Sequence, residues 1–111
     1  MNLEEKLNHY IKSITSVMEV DLIILFGSHA KGDSHEYSDI DLAVVSKELD
    51  TDKPRWENIR LIEEKANLSF DPDLQIIPFS TKNFQNDRQS PIGSFIREIK
   101  KTGKIIYQKP L

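Results

Sequence analysis

The chain has no cysteine among its 111 residues, which excludes disulfide scaffolds, thiolate zinc sites and cysteine nucleophiles. Glycine is scarce, with only four residues. No Gly-x-Gly-x-x-Gly run occurs, so the dinucleotide-binding fingerprint is absent. No apolar run approaches the length of a membrane span. The N-terminal MNLEEKLNHY is acidic and amphipathic, unlike the basic-then-apolar pattern of a secretory signal. A surplus of positive charge is missing as well: 15 Lys and Arg stand against 18 Asp and Glu, a formal net charge of −3. That balance argues against tight, sequence-independent binding of nucleic acid. A cytoplasmic location is the default expectation. The length points to one domain, 1–111, with room for a single modest core.

What is present reads as alternating helices and strands. Leu3, Leu7, Tyr10, Ile11, Ile14, Val17 and Met18 follow the spacing of one helix face, which predicts a helix over 2–18. Residues 21–26 and 39–46 are apolar runs of strand length, expected to be buried on both faces of a sheet. A helix is predicted over about 53–66, with Asp52 as its N-cap and Pro54 in its first turn. The stretch 70-FDPDLQIIPF-79 reads as a strand that Pro78 brings to an end. Ser90-Pro91 starts a helix carrying Ile92, Phe95, Ile96 and Ile99, Gly103 stops it, and 104-KIIY-107 is a short last strand. The order α-β-β-α-β-α-β predicts an α/β (α+β) fold, a small mixed sheet with helices packed on it. The C-terminal apolar stretch is compatible with packing inside the monomer or across a homodimer.

The chemistry concentrates in 26-FGSHAKGDSHEYSDIDLAVVS-46. Gly27 and Gly32 follow a strand at the spacing of a nucleotide-hydrolase phosphate loop, which requires Lys and then Ser or Thr after the second glycine. Here those places hold Asp33 and Ser34. An acid in place of the phosphate-binding lysine would repel the phosphate, so that reading fails.

The aspartates remain. Asp39 and Asp41 lie two apart on a strand and share one face with Ala43 and Val45, while Ile40, Leu42 and Val44 face the other way. Carboxylates with Cα atoms about 6–7 Å apart can bring their oxygens within roughly 5 Å. Their repulsion is then on the order of 3 kcal/mol at an effective dielectric near 20. A hard divalent cation reverses that sign, since Mg²⁺ takes one or two carboxylates together with substrate phosphates and water. Asp73, with Asp71 beside it, offers a third acid if its strand neighbours 39–45. Three converging carboxylates can hold two metal ions. Gly27 would let backbone approach a phosphate, the Ser28 N–H and hydroxyl could bind its oxygens, and Lys31 is near enough to add positive charge.

Gly27-Ser28 after an apolar strand, then Asp39-Ile40-Asp41-Leu42, then a later acid on a strand, resembles the DNA polymerase beta-type nucleotidyltransferase superfamily. The fuller form, Gly-Ser-His-Ala-Lys-Gly followed by Ser-Asp-Ile-Asp-Leu, resembles the minimal nucleotidyltransferases, single-domain proteins of about this length. Family members usually carry Arg where this chain has His29, and often Arg at Lys31; the metal ligands are untouched by these departures. The resemblance implies transfer of a nucleotidyl group, AMP from ATP, to an acceptor hydroxyl with release of pyrophosphate. It implies Asp39, Asp41 and Asp73 as metal ligands for two Mg²⁺ ions. It implies Gly27, Ser28 and Lys31 at the triphosphate, with Asp73 also helping to deprotonate the acceptor. In several such families the enzyme is an antitoxin that adenylylates a helical HEPN-type ribonuclease toxin, so such a partner is implied here too.

Plainer readings stand beside these. Asp39 and Asp41 could be solvent-facing acids that discourage edge pairing, and Asp71 and Asp73 could be turn formers around Pro72. His29 and His35 read as exposed loop histidines, Ser38 as a brace for the loop, and Trp56 as core or interface packing. Two other functions compete: transfer to a small molecule such as an aminoglycoside, and non-catalytic masking of a partner.

Overall fold

The computed structural model describes residues 2–27, 39–50, 52–68 and 73–110. Helix α1 spans Leu3–Thr15. It begins in a capping box: the Asn2 side chain accepts a hydrogen bond from the Glu5 N–H at 2.8 Å and donates to the Glu5 carboxylate at 3.2 Å. Strand β1, Leu22–Phe26, is followed by β2, Ile40–Ser46, helix α2, Arg55–Ala66, and β3, Leu74–Ser80. A short helix α3, Thr81–Gln85, and a 3₁₀ turn, Asp87–Gln89, lead to α4, Gly93–Thr102, and β4, Lys104–Gln108.

The sheet order is β3-β2-β1-β4. β1 runs antiparallel to β2 and β4, while β2 and β3 are parallel, so the sheet is mixed. α2 is the helical crossover that parallel neighbours require. Alternation along the strands builds two apolar layers. Ile23, Leu25, Ile40, Leu42, Val44 and Ile76 pack with Tyr10 and Ile14 of α1 and Ile62 of α2. Ile24, Ala43, Val45, Ile77 and Phe79 pack with Phe84 of α3 and Ile96 and Ile99 of α4. The near-continuous burial of β2 follows from its central place between these layers.

Two local expectations are corrected here, and one short helix is added. Pro78 does not end a strand; it lies inside β3, opposite Val44. β3 is an edge strand, whose open side can take a missing N–H without losing a ladder bond. Asp52 does not cap α2: Pro54 is the N-cap residue and makes no side-chain cap. The approach to α2 is tied instead by the buried Asn58, whose side chain accepts from the Asp50 N–H at 3.1 Å and donates to the Asp50 carbonyl at 2.7 Å. α3 was not expected, because five residues with one buried aromatic, Phe84, carry no legible period. Trp56, read as core or interface packing, is 60% exposed and so lies outside the core. Gly103 does stop α4, but with an extended backbone (φ −77°). A Cβ there would stand 2.5 Å from the Ile24 Cγ2 atom and from the Ile99 carbonyl, so close approach to β1 requires the glycine.

Candidate active site

β1 ends at Phe26, which is directly opposite Asp41 in the antiparallel register. The next residue, Gly27, has φ +76°, a left-handed conformation that glycine adopts without steric cost. A Cβ at Gly27 would lie 2.5 Å from Asp41 Oδ2. Gly27 therefore meets two demands at once, the turn out of β1 and room for the Asp41 carboxylate. The glycine that opens the loop and the acid pair are brought into contact by one strand pairing.

On the other side of β2 the parallel register sets Asp41 beside Gln75 and Ile40 beside Leu74. The Ile40 N–H donates to the Asp73 carbonyl at 2.7 Å, so the Asp73 backbone stands alongside the Asp39–Ile40 segment. Gln75 shares the Asp39–Asp41 face and donates from Nε2 to Asp39 Oδ2 at 3.3 Å. The strand neighbourhood expected for the third acid is thus present. A closed three-carboxylate cage is not: among the described residues no group of three or more His, Asp or Glu side chains is arranged to hold a metal ion. Asp41 in β2 and Asp39 just before it are two residues apart, the spacing that sets two carboxylates on one side of a strand. A pair of hard oxygen donors is what Mg²⁺ takes together with substrate phosphates. Ser28, Lys31, His29, His35, Ser38 and Asp71 lie outside the described residues.

Gln75 is the site neighbour that the sequence reading missed. Its only signal is its place two residues after Asp73, which in a strand means the same face; its contact with Asp39 depends on the β2–β3 register. Two clefts, of about 370 and 410 Å³, lie at the opposite end of the sheet around Lys47, Thr81 and Lys109. Neither is lined by Asp39, Asp41 or Asp73.

The model of the polymerase beta nucleotidyltransferase family matches residues 5–110. A protein of Methanocaldococcus jannaschii, provisionally named a protein adenylyltransferase, is 31% identical over 105 residues, covering 93% of this chain and 97% of its own. The protein adenylyltransferase MntA of Shewanella oneidensis is 32% identical over 62 residues, 56% of this chain and 42% of that protein. Among solved structures, a provisionally assigned nucleotidyltransferase of Sulfolobus solfataricus superposes with a TM-score of 0.65 at 18% identity, over 94% of this chain and 79% of that one. A toxin–antitoxin crystal structure with AMP-PNP superposes with a TM-score of 0.57 at 25% identity, over 92% and 73%. The family model spans nearly the whole chain and the Methanocaldococcus relative is covered almost end to end, so the chain belongs to the polymerase beta-type nucleotidyltransferases.

Proposed function

We propose that this protein moves AMP from ATP to a hydroxyl group on a partner protein, and that the partner is a HEPN-type ribonuclease toxin silenced by the modification. The observation that carries the reading is the closeness of Gly27 to the Asp41 carboxylate, which puts the turn that would receive the phosphates beside the acids that would hold the metal. The choice of a protein acceptor is supported by two relatives named as protein adenylyltransferases and by the likeness to a toxin–antitoxin structure containing AMP-PNP. The 1–111 chain acts as one domain in this reading, in the cytoplasm, and the partner completes the cleft that a lone small domain leaves open.

Asp39 and Asp41 would hold Mg²⁺, two ions when Asp73 supplies the third carboxylate. Bound there, the metal would neutralise phosphate charge and favour the ionised acceptor hydroxyl. Gly27, Ser28 and Lys31 hold the triphosphate in place. Asp73 takes the proton from the acceptor hydroxyl, whose oxygen bonds to the α-phosphorus as pyrophosphate leaves. Gln75 keeps the Asp39 carboxylate oriented on the shared face.

The test is incubation of the purified protein with labelled ATP, Mg²⁺ and the product of the adjacent gene, comparing wild type with Asp39→Asn plus Asp41→Asn. Label is expected on the partner with wild type only. Undiminished protection of the partner by the double variant would replace this reading with non-catalytic masking. Label appearing only on an added aminoglycoside would replace it with small-molecule transfer.

A further inference from the structure

We propose that Phe95 is the platform on which the base of the nucleoside triphosphate stacks. The proposal rests on the nucleotidyl-transfer reading above and names the residue that recognises the base. A single exposed apolar side chain needs no explanation on a protein surface; the position of Phe95 sets it apart. Two large aromatic side chains are exposed among the described residues, Trp56 at 60% and Phe95 at 42%. Trp56 belongs to α2, which packs through Ile62 on the face of the sheet away from the aspartates. Phe95 belongs to α4, which packs through Ile96 and Ile99 on the face that Asp41 shares with Ala43 and Val45.

The Phe95 ring is held beside the site. It meets the Phe26 ring edge-on, with centroids 6.0 Å apart and planes at 75°. It meets Phe79 at 6.2 Å and 55°. Phe26 in turn is the residue opposite Asp41 and immediately before Gly27. Phe95 thus touches the residue that leads into the Gly27 turn, which places its ring on the side of the sheet where a bound nucleotide would extend from that turn. Ile92, one helical turn earlier and also exposed, extends the apolar rim. Contacts with two other rings restrict the orientation of Phe95 while 42% of its surface stays exposed, and base stacking uses an exposed aromatic ring of restricted orientation.

Calorimetric titration with Mg·ATP and, separately, with inorganic tripolyphosphate tests this in wild type and in Phe95→Ala, Phe95→Leu and Phe95→Tyr. One aromatic–base stack corresponds to about a 5- to 150-fold change in affinity. Phe95→Ala is expected to weaken ATP by that factor, Phe95→Leu to do so in part, and Phe95→Tyr to restore binding. Tripolyphosphate, which has no base, is expected to bind all four alike. Should Phe95→Ala fail to fold, the Leu and Tyr variants still separate stacking from bulk. Equal weakening of ATP and tripolyphosphate would overturn the proposal in favour of a structural role. Unchanged ATP affinity with loss of AMP transfer to the partner would reassign Phe95 to acceptor docking. A wild type that binds neither ligand would instead overturn the transfer reading on which the stack depends.

Discussion

At Gly27 a backbone requirement and a side-chain requirement coincide. The φ of +76° alone disfavours any residue with a Cβ, by about 1–2 kcal/mol. The second demand is specific to the site, because the missing Cβ is where Asp41 Oδ2 has its room. Gly27→Ala is therefore expected to reduce nucleotidyl transfer at least tenfold while lowering stability by only about 1–3 kcal/mol. Chemical denaturation alongside the labelled-ATP assay checks this. A variant that keeps full activity would show that Asp41 tolerates displacement. Gly103, which also excludes a Cβ, does so against Ile24 and the α4 backbone and has no part in the chemistry.

Among the elements, the connection between α1 and β1 is tied to α2 by one carboxylate. Glu48, in the turn after β2, accepts from the Glu19 N–H at 2.6 Å and from Lys65 Nζ at 2.9 Å. The Lys65 hydrogen bond chiefly, then the Glu19 N–H, holds the Glu48 carboxyl below the usual glutamate value of 4.5. A depressed folded-state pKa stabilises the fold above the unfolded value, and the contribution is lost as pH falls through the folded one. Glu48→Gln is thus expected to lower the melting temperature at pH 7, by an amount reflecting less than about 1 kcal/mol for a pair this exposed. The gap to wild type should close below pH 4.5. A gap that does not narrow at all as the pH is lowered below 4.5 would mean that packing, not charge, sets the effect. Element existence was legible here because long periods repeat: the α1 and α4 stripes each return every three or four residues. The ends were not. α1 stops at Thr15, not 18, and α2 is entered through Pro54 and the Asn58 clasp rather than an Asp52 cap. Such ends depend on which backbone groups tertiary neighbours can satisfy.

For the molecule as a whole, a ligand that binds only the folded state raises its stability by mass action, about 2.7 kcal/mol at a hundred times its Kd. Mg·ATP is expected to raise the melting temperature by several degrees or more for a chain of this size. Removing the metal with EDTA should abolish most of that shift while leaving the ligand-free melting temperature unchanged. An equal shift with ATP in EDTA would show that Asp39 and Asp41 do not act through a cation. The sheet is covered on both faces by helices, and no helix among the described residues is long and apolar enough to cross a membrane.

The sequence by itself determined which residues share a face. Period-two alternation puts Asp39 and Asp41 with Ala43 and Val45, and the two apolar layers of the sheet divide just so. It also determined that a glycine turn precedes an acid pair, since both are local features of one short stretch. Only the tertiary structure decided which strands are neighbours and in what register. The antiparallel pairing of β1 with β2 sets Gly27 against Asp41, and the parallel pairing with β3 brings Gln75 to Asp39. Packing of α4 then hangs Phe95 over the same face. Strand pairing joins segments far apart in the chain, so its register is settled by the packing of both layers together, which no local pattern encodes.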